Sequence, residues 1–175
     1  MLGKKYEVRN FGFSARTMLM KGDRPYMKEQ MFKDALSYNP DIVIIKLGTN
    51  DSKSFNWKYK AGLPGDIQTM INAFKAIPSK PKIYLCYPPK AYVSDASIND
   101  SIIAAGVIPV IEQVAKRNKL PIIYLHTALS GMQEHFPDNV HPDPVGAHKI
   151  AETVYKAITG KETSHRMQAF HGLKS

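Results

Sequence analysis

The sequence predicts an α/β sandwich built on a parallel sheet, and two observations lead to this prediction. Short apolar runs alternate along the chain with segments whose apolar residues recur about every 3.6 positions, the period of an amphipathic helix. One run, Ile-Val-Ile-Ile-Lys-Leu at 42–47, is almost continuous in apolar residues, as in a strand covered on both faces. In such a sheet the functional residues collect in loops that follow the carboxyl ends of the strands.

The same patterns predict the individual elements. Runs rich in β-branched and aromatic residues predict strands at 6–11, 42–47, 83–87 and 122–125. Helical periodicity predicts helices at 28–37, 64–77, 101–118 and 144–158. The last helix has clear bounds, because Asp143 is placed to cap it, Pro144 suits its first position and Gly160 follows as a stop. We therefore expect one domain over 1–160 and a tail at 161–175 that is loosely ordered or docked on the surface.

Composition limits the classes of function. The chain has 175 residues and a hydrophobic fraction of 43%, which suits one domain with one core. No apolar run approaches the ~20 residues that cross a bilayer, so we expect no membrane partner. The single cysteine, Cys86, excludes an internal disulfide, and its apolar neighbours predict a buried strand residue. The net charge of +9 comes from scattered lysines without a nucleic-acid-binding motif, so we expect a solvated basic surface and no nucleic-acid partner.

Three loops after predicted strands carry polar residues that folding does not require, at 9–14, 47–51 and 136–142. In the third loop, Asp138 and His141 lie three positions apart between Pro137 and Pro142, which restrict the backbone. A carboxylate at this spacing can accept from the imidazole Nδ1–H and leave Nε2 free as a general base. The alternative is an aspartate that caps a turn beside an exposed histidine, and for the motif alone this alternative is favoured.

The other two loops offer hydrogen-bond donors. Asn50 follows a buried strand and Gly48, and its side-chain amide can donate to a developing oxyanion. The backbone N–H of Gly12 could supply a second donor, and one such donor is worth ~3 kcal/mol in a transition state. The alternative interpretation of Gly-Thr-Asn-Asp is an Asx turn that ends the strand.

The combination of loops is more specific than any one of them. Asn-x-Gly-x-Ser, then Leu-Gly-Thr-Asn-Asp, then Asp-x-x-His-Pro, each after a predicted strand, resembles the SGNH (GDSL-like) hydrolase superfamily. The resemblance runs from about residue 6 to residue 158, and the stretch at 39–53 is most similar to bacterial sialate O-acetylesterase-like and related carbohydrate esterases. It implies a flavodoxin-like, three-layer αβα sandwich without metal or cofactor that hydrolyses small acyl esters, such as acetylated saccharides. It also implies that His141 is the base, Asp138 its acidic partner, and Gly12 and Asn50 the oxyanion-hole residues.

The chain departs from the family in the block that holds the nucleophile. That block is a strand ending in Gly-Asp-Ser or Gly-Asn-Ser, and only five residues precede Tyr6 here. We therefore expect the sheet to lack its first strand and the nucleophile to lie upstream of Met1, whether through a late start-codon assignment, a shortened chain or a natural remnant. Gly22-Asp23-Arg24 has arginine where the serine belongs. Ser14, Ser52 and Ser54 are weaker substitutes.

Two functions follow from these observations. The first is serine ester hydrolysis, and the second is a non-catalytic carbohydrate-binding or interaction module, which the missing serine favours and the retained Asp138–His141 pair disfavours. Trp57, shortly after Asn50, could form the floor for a sugar ring or pack a loop over the sheet. His126, His135 and His148 have no spacing typical of metal ligands. The compartment, the oligomeric state and the acyl and alcohol specificity stay open.

Overall fold

The structure is a computed structural model that describes residues 2–162. Most of the tail predicted at 161–175 therefore lies outside the described residues. The strands are β1 (Ile42–Ile45), β2 (Lys82–Cys86) and β3 (Ile122–Ile123). The α-helical segments are α1 (Gln30–Ser37), α2 (Ser54–Trp57), α3 (Leu63–Ala76), α4 (Asp100–Ile102), α5 (Ile108–Asn118), α6 (Leu125–Ala128) and α7 (Pro144–Thr159). None of these helices is long and apolar enough to span a bilayer.

The three strands form one parallel sheet in the order β1-β2-β3. Ile42 of β1 is in register with Lys82 of β2, and Leu85 of β2 is in register with Ile122 of β3. Because the strands are parallel, their carboxyl ends meet at one edge of the sheet, where the loops after β1 and β3 begin.

Helices cover both faces of the sheet. On one face, α1, α3 and α5 pack against Val43, Ile45, Ile83 and Leu85 in the larger apolar cluster. On the other face, α7 packs Ile150, Val154, Ala157 and Ile158 against Tyr84, Cys86, Ile123 and Leu125. The predicted three-layer αβα sandwich with a parallel sheet is therefore confirmed. Cys86 is 1% exposed, as predicted, and burial raises the pKa of its thiol to about 12.

The prediction of a strand at 6–11 is wrong. After a short 3-10 turn at Gly3–Lys5, the chain crosses this stretch without strand pairing, and Tyr6 and Val8 are 39% and 72% exposed. A strand is stabilised by hydrogen bonds to a neighbour, and among the described residues β1 pairs only with β2. The run at 6–11 does not add to the free edge of β1, so its backbone lacks the hydrogen-bond ladder that a strand requires.

Several boundaries differ from the predictions: β1 ends at Ile45 instead of residue 47, and α1 begins at Gln30 instead of residue 28. The helix predicted at 101–118 is interrupted by a π turn at Ile103–Val107, immediately before α5. Pro109 lacks the N–H that would donate to the carbonyl four residues earlier, which accounts for the interruption. The strand predicted at 122–125 ends at Ile123, because Tyr124 leaves the extended region and Leu125 begins α6.

The predicted bounds of the last helix are confirmed to within one residue. Asp143 accepts from the Val145 and Gly146 N–H groups at 2.8 and 2.9 Å, as an N-cap residue does. Gly160 ends α7 with a φ of 69°, in the left-handed region that glycine adopts without strain. This cap fixes the direction in which the preceding loop, at 135–143, enters the helix.

Candidate active site

The Asp138–His141 contact is present at the carboxyl edge of the sheet. Asp138 Oδ2 lies 2.6 Å from His141 Nδ1, and Asp138 Oδ1 accepts from the backbone N–H groups of His141 and Val140 at 2.6 and 2.9 Å. These hydrogen bonds hold the pKa of the Asp138 carboxyl well below its usual range. The bond from the His141 backbone N–H lowers it most, followed by the His141 side chain and the Val140 N–H. Asp138 therefore stays ionised, and the His141 side chain, 76% exposed, presents its other nitrogen to solvent.

A second pair of side chains anchors this loop. His135 Nδ1 lies 3.0 Å from Asp143 Oδ2, and the Asp143 N–H donates to the His135 carbonyl at 2.8 Å. In the middle of the loop, the Tyr92 N–H donates to the Asn139 carbonyl at 2.7 Å, and Phe136 is 2% exposed. The loop that carries the Asp138–His141 pair is thus held at both ends and from the side.

Asn50 lies at the end of the loop that follows β1. The side-chain Nδ2 of Asn50 donates to the Arg16 carbonyl at 3.3 Å. The backbone carbonyl of Asn50 accepts from Asn56 Nδ2 at 2.9 Å. Because an amide nitrogen carries two hydrogens, one N–H of Asn50 stays available to a ligand. The 3.3 Å hydrogen bond to Arg16 is long and therefore weak. It orients the Asn50 side chain and uses only one of its N–H groups.

The segment beside Asn50 is held by the Arg16 side chain. The Arg16 guanidinium pairs with Glu29 at 2.9 Å, donates to the Ser14 carbonyl at 2.9 Å and lies 3.6 Å from the centre of the Phe13 ring. Between Ser14 and Arg16, Ala15 adopts a φ of 63°, a conformation that glycine favours. This turn brings the Arg16 carbonyl to Asn50.

The Gly12 N–H, the second predicted oxyanion donor, has a hydrogen-bond partner within its own loop. Gly12 is exposed, and its N–H donates to Asn10 Oδ1 at 2.8 Å within the same loop. Within residues 2–162, no hydrogen bond joins Gly12 to Asn50, nor His141 to either of them. The role of Gly12 stays a prediction, and the Arg16 carbonyl, which follows this loop, accepts from the Asn50 side chain.

Asp51 is a site residue that the sequence did not identify. Its side chain is fully buried, and its two oxygens accept from the Met18 and Leu19 N–H groups at 3.0 and 2.8 Å. Burial is the largest influence and raises the pKa of Asp51 to about 6, against the opposing effect of those N–H donors. Asp51 thereby joins the loop after β1 to the segment at 16–20, directly beside Asn50.

A cluster of side chains around the buried Asp100 carboxylate was also not predicted. The Asp100 carboxylate pairs with Lys90 Nζ, lies 3.0 Å from His126 Nε2 and accepts from the Ala91 N–H at 3.0 Å. Burial opposes its ionisation, but the bonds from Lys90, the Ala91 N–H and His126 outweigh this effect and hold the pKa of the Asp100 carboxyl below its ordinary value. Residues at positions 90, 100 and 126 are distant in sequence, so no local motif could reveal the cluster.

No serine hydroxyl in the described part of the chain hydrogen-bonds to His141. Ser52 is 0% exposed, and its Oγ donates to the Thr49 carbonyl at 2.8 Å. Ser14 and Ser54 are exposed and make no contact with the imidazole. The three substitute serines considered from the sequence therefore lack the bond to a base that would activate them.

The three other histidines within residues 2–162 pair with carboxylates. His126 and His135 each contact an aspartate, as described above, and His148 Nε2 lies 3.4 Å from Glu152 Oε1. Over residues 2–162 no group of three or more His, Cys, Asp or Glu side chains is arranged to hold a metal ion. The chemistry that the described site offers is thus proton transfer at His141 and hydrogen-bond donation at Asn50.

The chain is similar to a known protein family and to a curated sequence. The model of the GDSL-like Lipase/Acylhydrolase family matches residues 1–149. An acetylxylan esterase of Xylanibacter ruminicola is 44% identical over 176 aligned residues, which include 90% of this chain. The alignment spans 37% of the length of that curated relative.

Solved structures show the same fold. The lipase/acylhydrolase from Enterococcus faecalis superposes with a TM-score of 0.64 and 26% identity, over 81% of this chain and 72% of that one. The acetyl xylan esterase AlAXEase superposes with a TM-score of 0.61, over 76% of this chain and 74% of that one. Its identity of 23% makes this second likeness a statement about the fold alone.

Proposed function

Because the chain belongs to the GDSL-like lipase/acylhydrolase family, we propose that it supplies the base, the acidic partner and an oxyanion donor of a serine ester hydrolase. The proposed substrates are short acyl esters, in particular O-acetyl groups on a saccharide. The 44% identical relative, an acetylxylan esterase, supports this substrate class.

The Asp138–His141 pair carries the proposal. With Asp138 ionised and 2.6 Å from His141 Nδ1, the neutral imidazole keeps its proton on Nδ1 and its lone pair on Nε2. That tautomer is the one a general base needs, and the carboxylate stabilises the imidazolium that forms when the base accepts a proton. A module that only binds carbohydrate has no evident need for an imidazole oriented in this way.

In the proposed reaction, His141 Nε2 takes the proton of a serine hydroxyl while the serine oxygen attacks the ester carbonyl. The Asn50 amide donates to the oxyanion of the tetrahedral intermediate, and one such donor is worth about 3 kcal/mol in the transition state. His141 then returns the proton to the leaving alcohol as the acyl–enzyme forms. Water, deprotonated by His141, attacks the acyl–enzyme and releases the carboxylic acid and the free serine.

The nucleophile is the part of this reaction that the described residues do not assemble. Since no serine hydroxyl within 2–162 contacts His141, the proposal requires a serine that reaches Nε2 from outside the contacts described. The same observation favours a second candidate function, a non-catalytic module that binds acetylated saccharides. The two candidates differ in whether the protein turns over an ester.

Hydrolysis of p-nitrophenyl acetate by the chain, alone and extended by any residues encoded upstream, tests the proposal. We expect His141→Ala to lower the rate by about 10⁴-fold, because the serine loses its base. His148→Ala is the matched control, since it removes an exposed imidazole of α7 that contacts Glu152. Labelling with diisopropyl fluorophosphate and mass spectrometry identify the reactive serine.

Three outcomes are informative. Equal rates above background for the parent and His141→Ala would show that His141 is not the base. Equal losses in the His141→Ala and His148→Ala variants would indicate a loss of fold, not of chemistry. Saccharide binding by a protein that hydrolyses no ester in either form would favour the non-catalytic module.

A further inference from the structure

A shallow groove lies beside α2 and the π turn at Ile103–Val107. Its volume is about 350 Å³, at the small end of the range of ligand-binding pockets. The lining residues combine an indole ring, small apolar side chains and a polar rim: Trp57, Lys60, Asn99, Ser101, Ile102, Ala105 and Gly106.

The indole ring of Trp57 packs directly against the backbone of the π turn at Gly106. A Cβ atom at Gly106 would lie 2.3 Å from Cζ2 of the Trp57 ring, so only glycine allows this approach. The π turn exists because Pro109 cannot complete the α-helical bonding, and such turns are frequent at functional sites. The indole is therefore held in one orientation by a backbone feature that a continuous helix would not provide.

The rim of the groove offers both donors and acceptors. Asn99 uses Oδ1 to cap the helix at the Ile102 N–H, 3.0 Å away, and its Nδ2 has no hydrogen-bond partner among the described residues. The Ser101 hydroxyl has only a long contact of 3.4 Å, to Ser94. Lys60 Nζ lies 5.9 Å from the Trp57 ring. An aromatic floor with amide, hydroxyl and ammonium donors around it matches a pyranose ring, which has an apolar C–H face and hydroxyls at its edge.

Hydrogen bonds connect the groove to the candidate active site. Asn56, next to Trp57 in α2, donates to the Asn50 carbonyl at 2.9 Å. The Asn99 N–H donates to Ser52 Oγ at 3.0 Å, and the Ser54 N–H donates to the Ala96 carbonyl at 3.3 Å. Both walls of the groove are thus fixed to the loop that carries Asn50.

We propose that the Trp57–Gly106 groove is a saccharide-binding subsite, which holds a pyranose unit of an oligosaccharide against the Trp57 ring. This inference rests on the proposed function, since it names where the carbohydrate part of an acetylated substrate binds. It assigns Trp57 to ligand contact instead of loop packing alone.

Trp57 is the only tryptophan in the sequence, so its fluorescence reports on the groove directly. The probe is non-acetylated xylohexaose, titrated into the parent protein and into His141→Ala. We expect a saturable change in the Trp57 emission with the same dissociation constant in both proteins. Because the probe carries no ester, this result does not depend on turnover.

Variants locate the binding. Ala105→Arg adds a long side chain to the groove from an exposed position, and we expect it to abolish the emission change. Trp57→Ala, followed by calorimetry, is expected to weaken binding by about tenfold or more. Phe55→Ala is the matched control, since Phe55 is in the same helix, is 48% exposed and does not line the groove. Circular dichroism verifies that each variant is folded.

The proposal is overturned if the emission of the parent does not change up to the solubility limit of the probe, or if Ala105→Arg binds as tightly as the parent. Should Trp57→Ala fail to fold, the Ala105→Arg result decides alone. Hydrolysis of p-nitrophenyl acetate, which contains no sugar, tests the proposed function separately. Xylohexaose binding without hydrolysis of p-nitrophenyl acetate therefore supports the subsite and contradicts the proposed hydrolase function. Hydrolysis without xylohexaose binding supports the hydrolase function and contradicts the subsite.

Discussion

Gly48 is the position where one added methyl group should perturb both the fold and the candidate site. It is buried, adopts a φ of 116° and immediately precedes the loop that carries Asn50. A Cβ atom there would lie 2.8 Å from Pro88 Cγ, 3.0 Å from Val107 Cγ1 and 3.1 Å from Met18 Cε. Gly48→Ala therefore combines a strained backbone with a crowded core.

Each effect has a known size. An L-residue in a sparsely populated backbone region costs about 1–3 kcal/mol, and overpacking a core costs about the same. The reduced entropy of the unfolded alanine chain offsets about 0.4–1 kcal/mol. We expect Gly48→Ala to lower the free energy of unfolding by about 2–5 kcal/mol, which is a large part of the stability of a typical domain.

Urea denaturation followed by Trp57 fluorescence measures this loss, with Gly65→Ala as the matched control. Gly65 lies in α3 without a positive φ, and a Cβ atom there meets nothing within 4 Å. Alanine is the better helix former, so the control should gain about 0.5–1 kcal/mol. A Gly48→Ala variant within about 0.5 kcal/mol of the parent would refute the argument from φ and contact.

Two further predictions concern buried carboxylates. Burial raises the pKa of Asp51 from an ordinary 3.8 to about 6, so the folded protein binds the Asp51 proton more tightly than the unfolded chain does. The resulting stabilisation is complete below about pH 4 and is lost as the pH rises through about 6. Relative to Asp51→Asn, the parent should lose about 3 kcal/mol between about pH 4 and pH 7 in urea titrations, and a constant difference would contradict this. Asp100→Asn removes the carboxylate that pairs with Lys90 and contacts His126, and it should lower the free energy of unfolding by about 2 kcal/mol or more. The exposed control Asp41→Asn should stay within about 0.5 kcal/mol, and equal urea midpoints for the two variants would count against the Asp100 prediction.

Local patterns in the sequence predicted the helices and the central strand well. The cap at Asp143 and the stop at Gly160 depend on neighbouring residues only, and both are present. The predictions that failed depended on contacts between elements that are distant in the sequence. The run at 42–47 predicted a strand covered on both faces, yet Ile44 is 37% exposed because α7 covers β2 and β3 more fully than β1.

The candidate site shows the same division. The Asp138–His141 contact spans three residues of one loop, and the spacing predicted it. The roles of Asn50 and Gly12 as oxyanion donors stay predictions, and the structure adds a contact from Asn50 Nδ2 to the Arg16 carbonyl that no local pattern indicated. Asp51 and Asp100 could not be distinguished from surface acids, because their burial is set by residues more than 25 positions away, such as Met18 and His126.

The free edge of β1 has a consequence for the behaviour of the protein in solution. Along Ile42–Ile45, one row of backbone donors and acceptors has no strand beside it among residues 2–162, and the side chains are β-branched and apolar. Such an edge is a template on which an extended segment of any chain can register. Capture by a second molecule rises with protein concentration, whereas capture by a segment of the same chain does not. An extended segment beside β1 would complete this row of hydrogen bonds, and Lys46, directly after the strand, places a charge next to that position.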